Sequence, residues 1–160
     1  MRRATIIAVA GLFLLTAVFA QDATGGKTRF GVLEFDNEDM LTFRGHRVDP
    51  EVKGGPRTYL SDPYRFGASD VVLVTKSGGT ACPARYYFVT VSSSGAKATG
   101  PFGTCNEAKD IERQGDSISL TMQGFLGPYE PEDKRKKAFA ETHVFVFRDG
   151  VVTDNGKPVR

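Results

Sequence analysis

The sequence predicts an all-β fold: an antiparallel β-sandwich or partly open barrel of about seven to nine short strands, with one disulfide. Three observations carry that prediction. Short runs rich in β-branched and aromatic residues alternate with Gly, Pro, Asn and Asp punctuation along the 160-residue chain. Beyond the N-terminal leader, no amphipathic stretch reaches the roughly ten residues that a core-packing helix needs. The chain's two cysteines, Cys82 and Cys105, bracket a strand and its return.

Residues 1–20 read as a signal peptide. Arg2 and Arg3 form a positive start, Ile6 to Leu15 an apolar centre, and Val18-Phe19-Ala20 a small-residue cleavage edge before Gln21. The apolar run is shorter than the ~20 residues of a spanning helix, so no transmembrane segment is expected after cleavage. The leader carries two of the 21 basic residues and none of the 19 acids, so the mature chain balances at zero. The basic overall balance is therefore no nucleic-acid footprint. In an exported chain, two cysteines suggest the bridge Cys82–Cys105, worth about 3 kcal/mol on the chain-entropy model. Their spacing matches neither a redox pair nor a zinc site.

The elements follow in order. Residues 21–27 are polar and Gly-rich and predict a flexible N-terminal arm; a single β domain spans 28–154, and 155–160 form a fraying tail. Thr28 to Phe35 is a first strand, Asp36 to Asp39 an acidic turn, and Met40 to Val48 a second strand interrupted by Gly45. Asp49 to Arg57 is loop by its Pro and Gly content, and Thr58 to Leu60 is a short strand. Val71 to Val74 is apolar on both faces, as in a strand buried on both sides. Ser77-Gly78-Gly79 breaks it, and Tyr86 to Val91 is the next strong strand. Ser92 to Gly95 turns the chain into Ala96 to Thr99. Asp110 to Arg113 and Ser117 to Gln123 form a hairpin, whose second arm places Ile118, Leu120 and Met122 on one face. Gly124 to Lys137 is a charged surface loop, with i,i+4 spacing of Glu132 and Lys136 allowing a short helix at Glu132 to Ala138. Thr142 to Phe147 is the last strong strand, and Asp149-Gly150 turns it into Val151 to Thr153.

The chemistry is sparse, and no catalytic residue is assigned. His46 and His143 are the only histidines. His143 sits within a strand and takes a structural role; His46, between arginines, is a surface residue. No Gly-x-Ser-x-Gly elbow exists, which disfavours a triad. Glu34, Asp36, Glu38 and Asp39 crowd one turn but lack the spaced ligands of a calcium loop. No metal ligand and no cofactor is expected. Gly78-Gly79-Thr80 offers backbone N–H groups without the lysine of a phosphate loop, so a tight turn placing Cys82 explains it better. Lys134 to Lys137 follows acids and reads as a solvated face. Aromatics in or beside turns, Tyr59, Tyr64, Phe66, Phe102, Phe125 and Tyr129, are either binding anchors or caps on the core ends.

The segments Asp70–Val74, Gly78–Ala84, Tyr87–Val91 and Phe102–Cys105 together resemble a pattern of small exported proteobacterial proteins to which no activity is attached. The resemblance covers roughly residues 70–124 and, more loosely, 41–67. It implies a Gram-negative periplasmic or secreted setting and carries no catalytic residue. Size, export and a single bridge also suit small periplasmic β-proteins that block lysozymes or neutralise toxins. Their recognition motifs are absent, so that analogy is one of architecture.

These readings converge on an exported, non-enzymatic binding protein of the cell envelope. Its partner is expected to be another protein or an envelope component, not nucleic acid. The binding surface is expected at Ser77, Gly78, Gly79, Thr80, Phe102 and Tyr129, made rigid by Cys82–Cys105. The alternatives are an inhibitor or immunity-type protein, a hydrolase using paired carboxylates, and a structural envelope component.

Overall fold

A computed structural model describes residues 25–159. The expected leader and residues 21–24 of the expected arm lie outside the described residues. The all-β antiparallel sandwich is the architecture found, and it has three layers. The first sheet is a meander of β1 (Lys27–Thr28), β2 (Gly31–Phe35), β3 (Leu41–Phe43) and β4 (His46–Arg47). The central sheet holds β5 (Thr58–Leu60), β6 (Tyr64–Phe66), β7 (Ser69–Ser77), β8 (Ala84–Ser92) and β9 (Gly95–Ala98). Both β5 and β6 pair with β7, on successive stretches of it. The third sheet is β10 (Asp110–Gln114), β11 (Ser117–Gln123), β12 (Thr142–Arg148), β13 (Val151–Asp154) and β14 (Lys157–Pro158). One helix, α1 (Glu132–Ala140), connects β11 to β12.

The central sheet is the shared wall of two cores. In β7, Val71 and Leu73 face one core while Val72 and Val74 face the other. In β8, Tyr86 and Phe88 join the first group, and Val89 and Val91 the second. The period-2 alternation of strand side chains makes this division unavoidable once both faces are covered. Against the third sheet, Phe88 and Phe102 pack with Ile118, Leu120, Met122, Phe145 and Phe147. The Phe88 ring lies 5.3 Å from Phe102 and 4.5 Å from Phe147. Against the first sheet, Val72, Val74, Val89 and Val91 pack with Leu33, Leu41, Phe43, Val48 and Val52. Apolar residues on both faces of 71–74 thus have the cause the sequence suggested.

Several expected boundaries shift. The described residues form fourteen strands, more than expected, because tight turns split single runs. Arg29-Phe30 divides 28–35 into β1 and β2, and Arg44-Gly45 folds 40–48 into the β3–β4 hairpin. Gly25 to Lys27 pack rather than hang free: Gly26 donates to the Ser61 carbonyl at 3.2 Å and accepts from Leu33 N–H at 2.9 Å. The expected fraying tail adds β14 to the third sheet, and Val159 N–H donates to Val152 at 2.9 Å. Helix α1 runs two residues past the expected end at Ala138 and buries none of its side chains.

One buried charge ties the layers together. Asp70 is fully buried, and its carboxylate accepts from Arg29 N–H at 2.7 Å and Arg29 Nε at 2.8 Å. The same guanidinium donates to the carbonyls of Ser69 at 2.8 Å and Gly67 at 3.1 Å. The β1–β2 turn is thereby locked to the β6–β7 turn, between the first and central sheets. A buried carboxylate survives here because its lone pairs have fixed donors.

Candidate functional site

Cys82 and Cys105 are bridged, with sulfurs 2.03 Å apart and a sequence separation of 23. The β7–β8 ladder ends at Ser77↔Ala84, and residues 78–83 form the hairpin tip. Gly78 N–H donates to the Pro83 carbonyl at 2.9 Å, and Cys82 N–H to Gly79 at 3.1 Å. A Cβ on Gly78 would stand 2.0 Å from the Cys82 carbonyl oxygen, so no other residue fits this turn. The other arm of the bridge runs back along β8. Thr99 N–H donates to Phe88 at 2.8 Å, Tyr86 and Phe102 exchange bonds of 3.0 and 2.9 Å, and Ala84 N–H donates to Cys105 at 3.1 Å. The disulfide therefore joins an exposed tip to a segment that the sheet already holds in place.

The six expected binding residues do not form one surface. Gly78, Gly79 and Thr80 are exposed at the tip, and Ser77 is half-buried as the last residue of β7. Phe102 is a core residue, 4% exposed and packed 5.5 Å from Phe145. Its flanking glycines and proline suggested a loop, but the segment lies along β8 and turns the ring inward. Tyr129 is 95% exposed, on the loop before α1 in the third layer, whereas the tip belongs to the central sheet. Of the other turn aromatics, Tyr59 is exposed, while Tyr64, Phe66 and Phe125 are half-buried.

Beside the bridged segment lies a cleft of about 590 Å³. Phe102, Gly103 and Thr104 form one wall, and Phe125, Leu126 and Glu141 another. The polar side chains His143, Asp154 and Lys157 come from β12, β13 and β14 at one end of the third sheet. His143 Nδ1 lies 2.8 Å from Asp154 Oδ2, and the imidazole stacks on Phe145 with centroids 6.1 Å apart. A carboxylate only accepts, so Nδ1 carries a proton toward Asp154, and in the neutral tautomer Nε2 is left as the acceptor. The other carboxylate oxygen, Asp154 Oδ1, is buried with no partner among the described residues. Gly124 permits the close approach of α1 here: a Cβ on it would stand 2.3 Å from the Ala138 carbonyl oxygen.

Sequence reasoning placed His143 correctly in its strand and missed its partner. The signal was present in the Asp149-Gly150 turn. A two-residue turn pairs Arg148 with Val151 and hence Phe145 with Asp154, so the diagonal neighbour His143 shares the face of Asp154. The imidazole and carboxylate can hold and pass a proton between them. No serine or cysteine lines that cleft.

A second cleft, of about 470 Å³, opens where the central and third sheets diverge. Asp116 and Asp149, on adjacent turns, line it together with Lys97, Phe66 and Phe147. One arginine from β4 reaches the acidic turn at 36–39. Arg47 pairs with Glu38, Asp36 and Glu51. Asp36 Oδ1 accepts from Met40 and Glu38 N–H at 2.9 and 2.8 Å, and the Met40 bond leads in holding its carboxyl below the usual range. Among the described residues, no three His, Cys, Asp or Glu come together as a metal-ligand group. No helix among them is long and apolar enough to cross a membrane. No family model, curated protein or solved structure matches the chain.

Proposed function

We propose that the chain is an exported binding domain of the cell envelope, periplasmic or secreted, which holds a macromolecular partner on its disulfide-pinned hairpin tip. The observation that carries this reading is the joining of an exposed tip, Gly78 to Thr80, to a hydrogen-bonded edge segment through Cys82–Cys105. A tip restrained in this way loses little conformational entropy on binding, which is the main advantage of a preorganised surface. The disulfide also accords with an oxidising compartment. A secreted hydrolase or toxin is the partner class this reading assigns to the tip, with the domain acting as an inhibitor or immunity-type protein.

The test is capture from envelope extract with the bridged protein and two variants. Thr80→Arg is expected to abolish capture without moving the melting midpoint. Cys82→Ser with Cys105→Ser is expected to weaken capture in the protein that still folds. Capture of the same partner by all three proteins overturns the reading.

A second reading, a hydrolase using paired carboxylates, draws on one observation: Asp116 and Asp149 line the same cleft. Glycoside chemistry needs two carboxyls about 5–10 Å apart, one acid and one base or nucleophile. Release of reducing ends from envelope polysaccharide, lost in Asp116→Asn and in Asp149→Asn, would establish it.

A further inference from the structure

The His143 cleft has a chemical character of its own, separate from the hairpin tip. Three features define it. The first is a single oriented ring nitrogen: Asp154 holds Nδ1 and Phe145 holds the ring plane, leaving Nε2, an acceptor in the neutral tautomer, with no hydrogen bond among the described residues. The second is an apolar lining of an open cleft, from Phe125, Leu126, Phe145 and Pro158. The third is charge. Asp154 and Glu141 line the cleft against one cation, Lys157, and the uncompensated Asp154 Oδ1 adds to the negative potential. An anionic ligand is disfavoured on that ground, and a hydrogen-bond donor is favoured.

We propose that this cleft binds a small neutral molecule with a flat apolar body and one hydroxyl group, the hydroxyl donating to His143 Nε2. The volume of about 590 Å³ falls in the ordinary range for small-molecule sites, which combine apolar walls with few oriented polar groups. The wall formed by Phe102 to Thr104 is immobilised by its bonds to β8 and by the bridge at Cys105, so the site is largely preformed. Thr104 adds little to recognition, because its hydroxyl already donates to the Gln123 carbonyl at 2.6 Å. The inference does not rest on the tip as a partner surface, and its failure would leave that reading untouched.

The experiment is a titration of the bridged protein with phenol, anisole and benzoate, followed in nuclear magnetic resonance spectra. These probes share one ring and differ in donor and charge. Phenol is expected to shift the resonances of His143, Phe125 and Thr104 saturably. Anisole, which lacks the donor, is expected to bind about fivefold more weakly, the usual value of one neutral hydrogen bond. Benzoate is expected to be weaker than phenol. His143→Phe should bring phenol down to the level of anisole. Equal affinities for phenol and anisole would overturn the proposal, as would tighter binding of benzoate or no saturable shift at the cleft. The comparison of phenol with anisole on the unaltered protein decides the matter even if the variant fails to fold.

Discussion

Tyr86 shows how one side chain serves both a core and a hydrogen-bond network. Its ring is 3% exposed between β8 and the third sheet, and its hydroxyl accepts from Ala108 N–H at 2.7 Å. Burial raises its pKa above the ordinary 10.0. The Ala108 bond opposes that rise, and the charge of Glu107 adds to it. Burial raises Tyr64 in the same direction. A raised folded-state pKa means that the folded state keeps the proton longer than the unfolded chain does. The associated stability is fully present below the unfolded value and is lost as pH rises through the folded one. Thermal midpoints are therefore expected to fall above about pH 10. Tyr86→Phe should flatten part of that alkaline limb while costing about 1 kcal/mol at neutral pH, since Ala108 N–H loses its acceptor. Identical alkaline slopes in the two proteins would show that Tyr86 does not titrate as argued.

At the scale of elements, turns and edges do more than strands to position the functional features. The Arg29-Phe30 turn reaches across to Asp70, and that single guanidinium joins two sheets that share no ladder in this region. Arg29→Ala would leave a fully buried carboxylate with only the Arg29 N–H as donor. Breaking such a pair costs about 3–5 kcal/mol when both partners are buried. The Arg29 side chain is 39% exposed, so the expected cost is nearer about 2 kcal/mol. Arg29→Lys should recover less than half of it, because an ammonium cannot meet the carboxylate and two carbonyls in one plane. Denaturant midpoints measure this directly, and full recovery by lysine would reduce the contact to simple charge. The helix is a contrasting case. With no buried side chain, α1 is held by its chain ends, where Gly124 N–H donates to Glu141 at 2.9 Å and the absent Cβ lets Ala138 approach.

For the whole molecule, the central sheet couples the two cores. Each residue of β7 from Val71 to Val74 belongs to one core, while its backbone bonds belong to the ladder that both cores need. Loss of either outer sheet would expose one full face of β7 and β8, so neither half is expected to stand alone. One unfolding transition is expected, as for most single domains of this size. Leu41→Ala, beneath the first sheet, and Leu120→Ala, beneath the third, should each move that one transition, lowering stability by about 2–5 kcal/mol. Two separate transitions, each moved by only one of the variants, would mean that the layers unfold independently.

The sequence by itself determined the all-β class, the disulfide, the doubly buried run at 71–74 and the amphipathic arm at 117–123. Each of these rests on local periodicity or on a pair of residues without rivals. It also located the turns at Asp149-Gly150 and around Gly115, because turn chemistry is local. Three layers instead of two were decided by tertiary structure. An apolar strand announces that both faces are covered but not by what, and the covering sheets come from chain more than twenty residues away. The inward turn of Phe102 was likewise decided by its pairing with Tyr86, since an irregular edge segment has no period to read. The pairing of Arg29 with Asp70 joins residues 41 apart in sequence, and neither carries a local mark of its partner. His143 and Asp154 lie between these cases. Their shared face follows from the turn and the strand alternation, but the cleft they line exists only because α1 and the bridged segment lie beside that end of the third sheet.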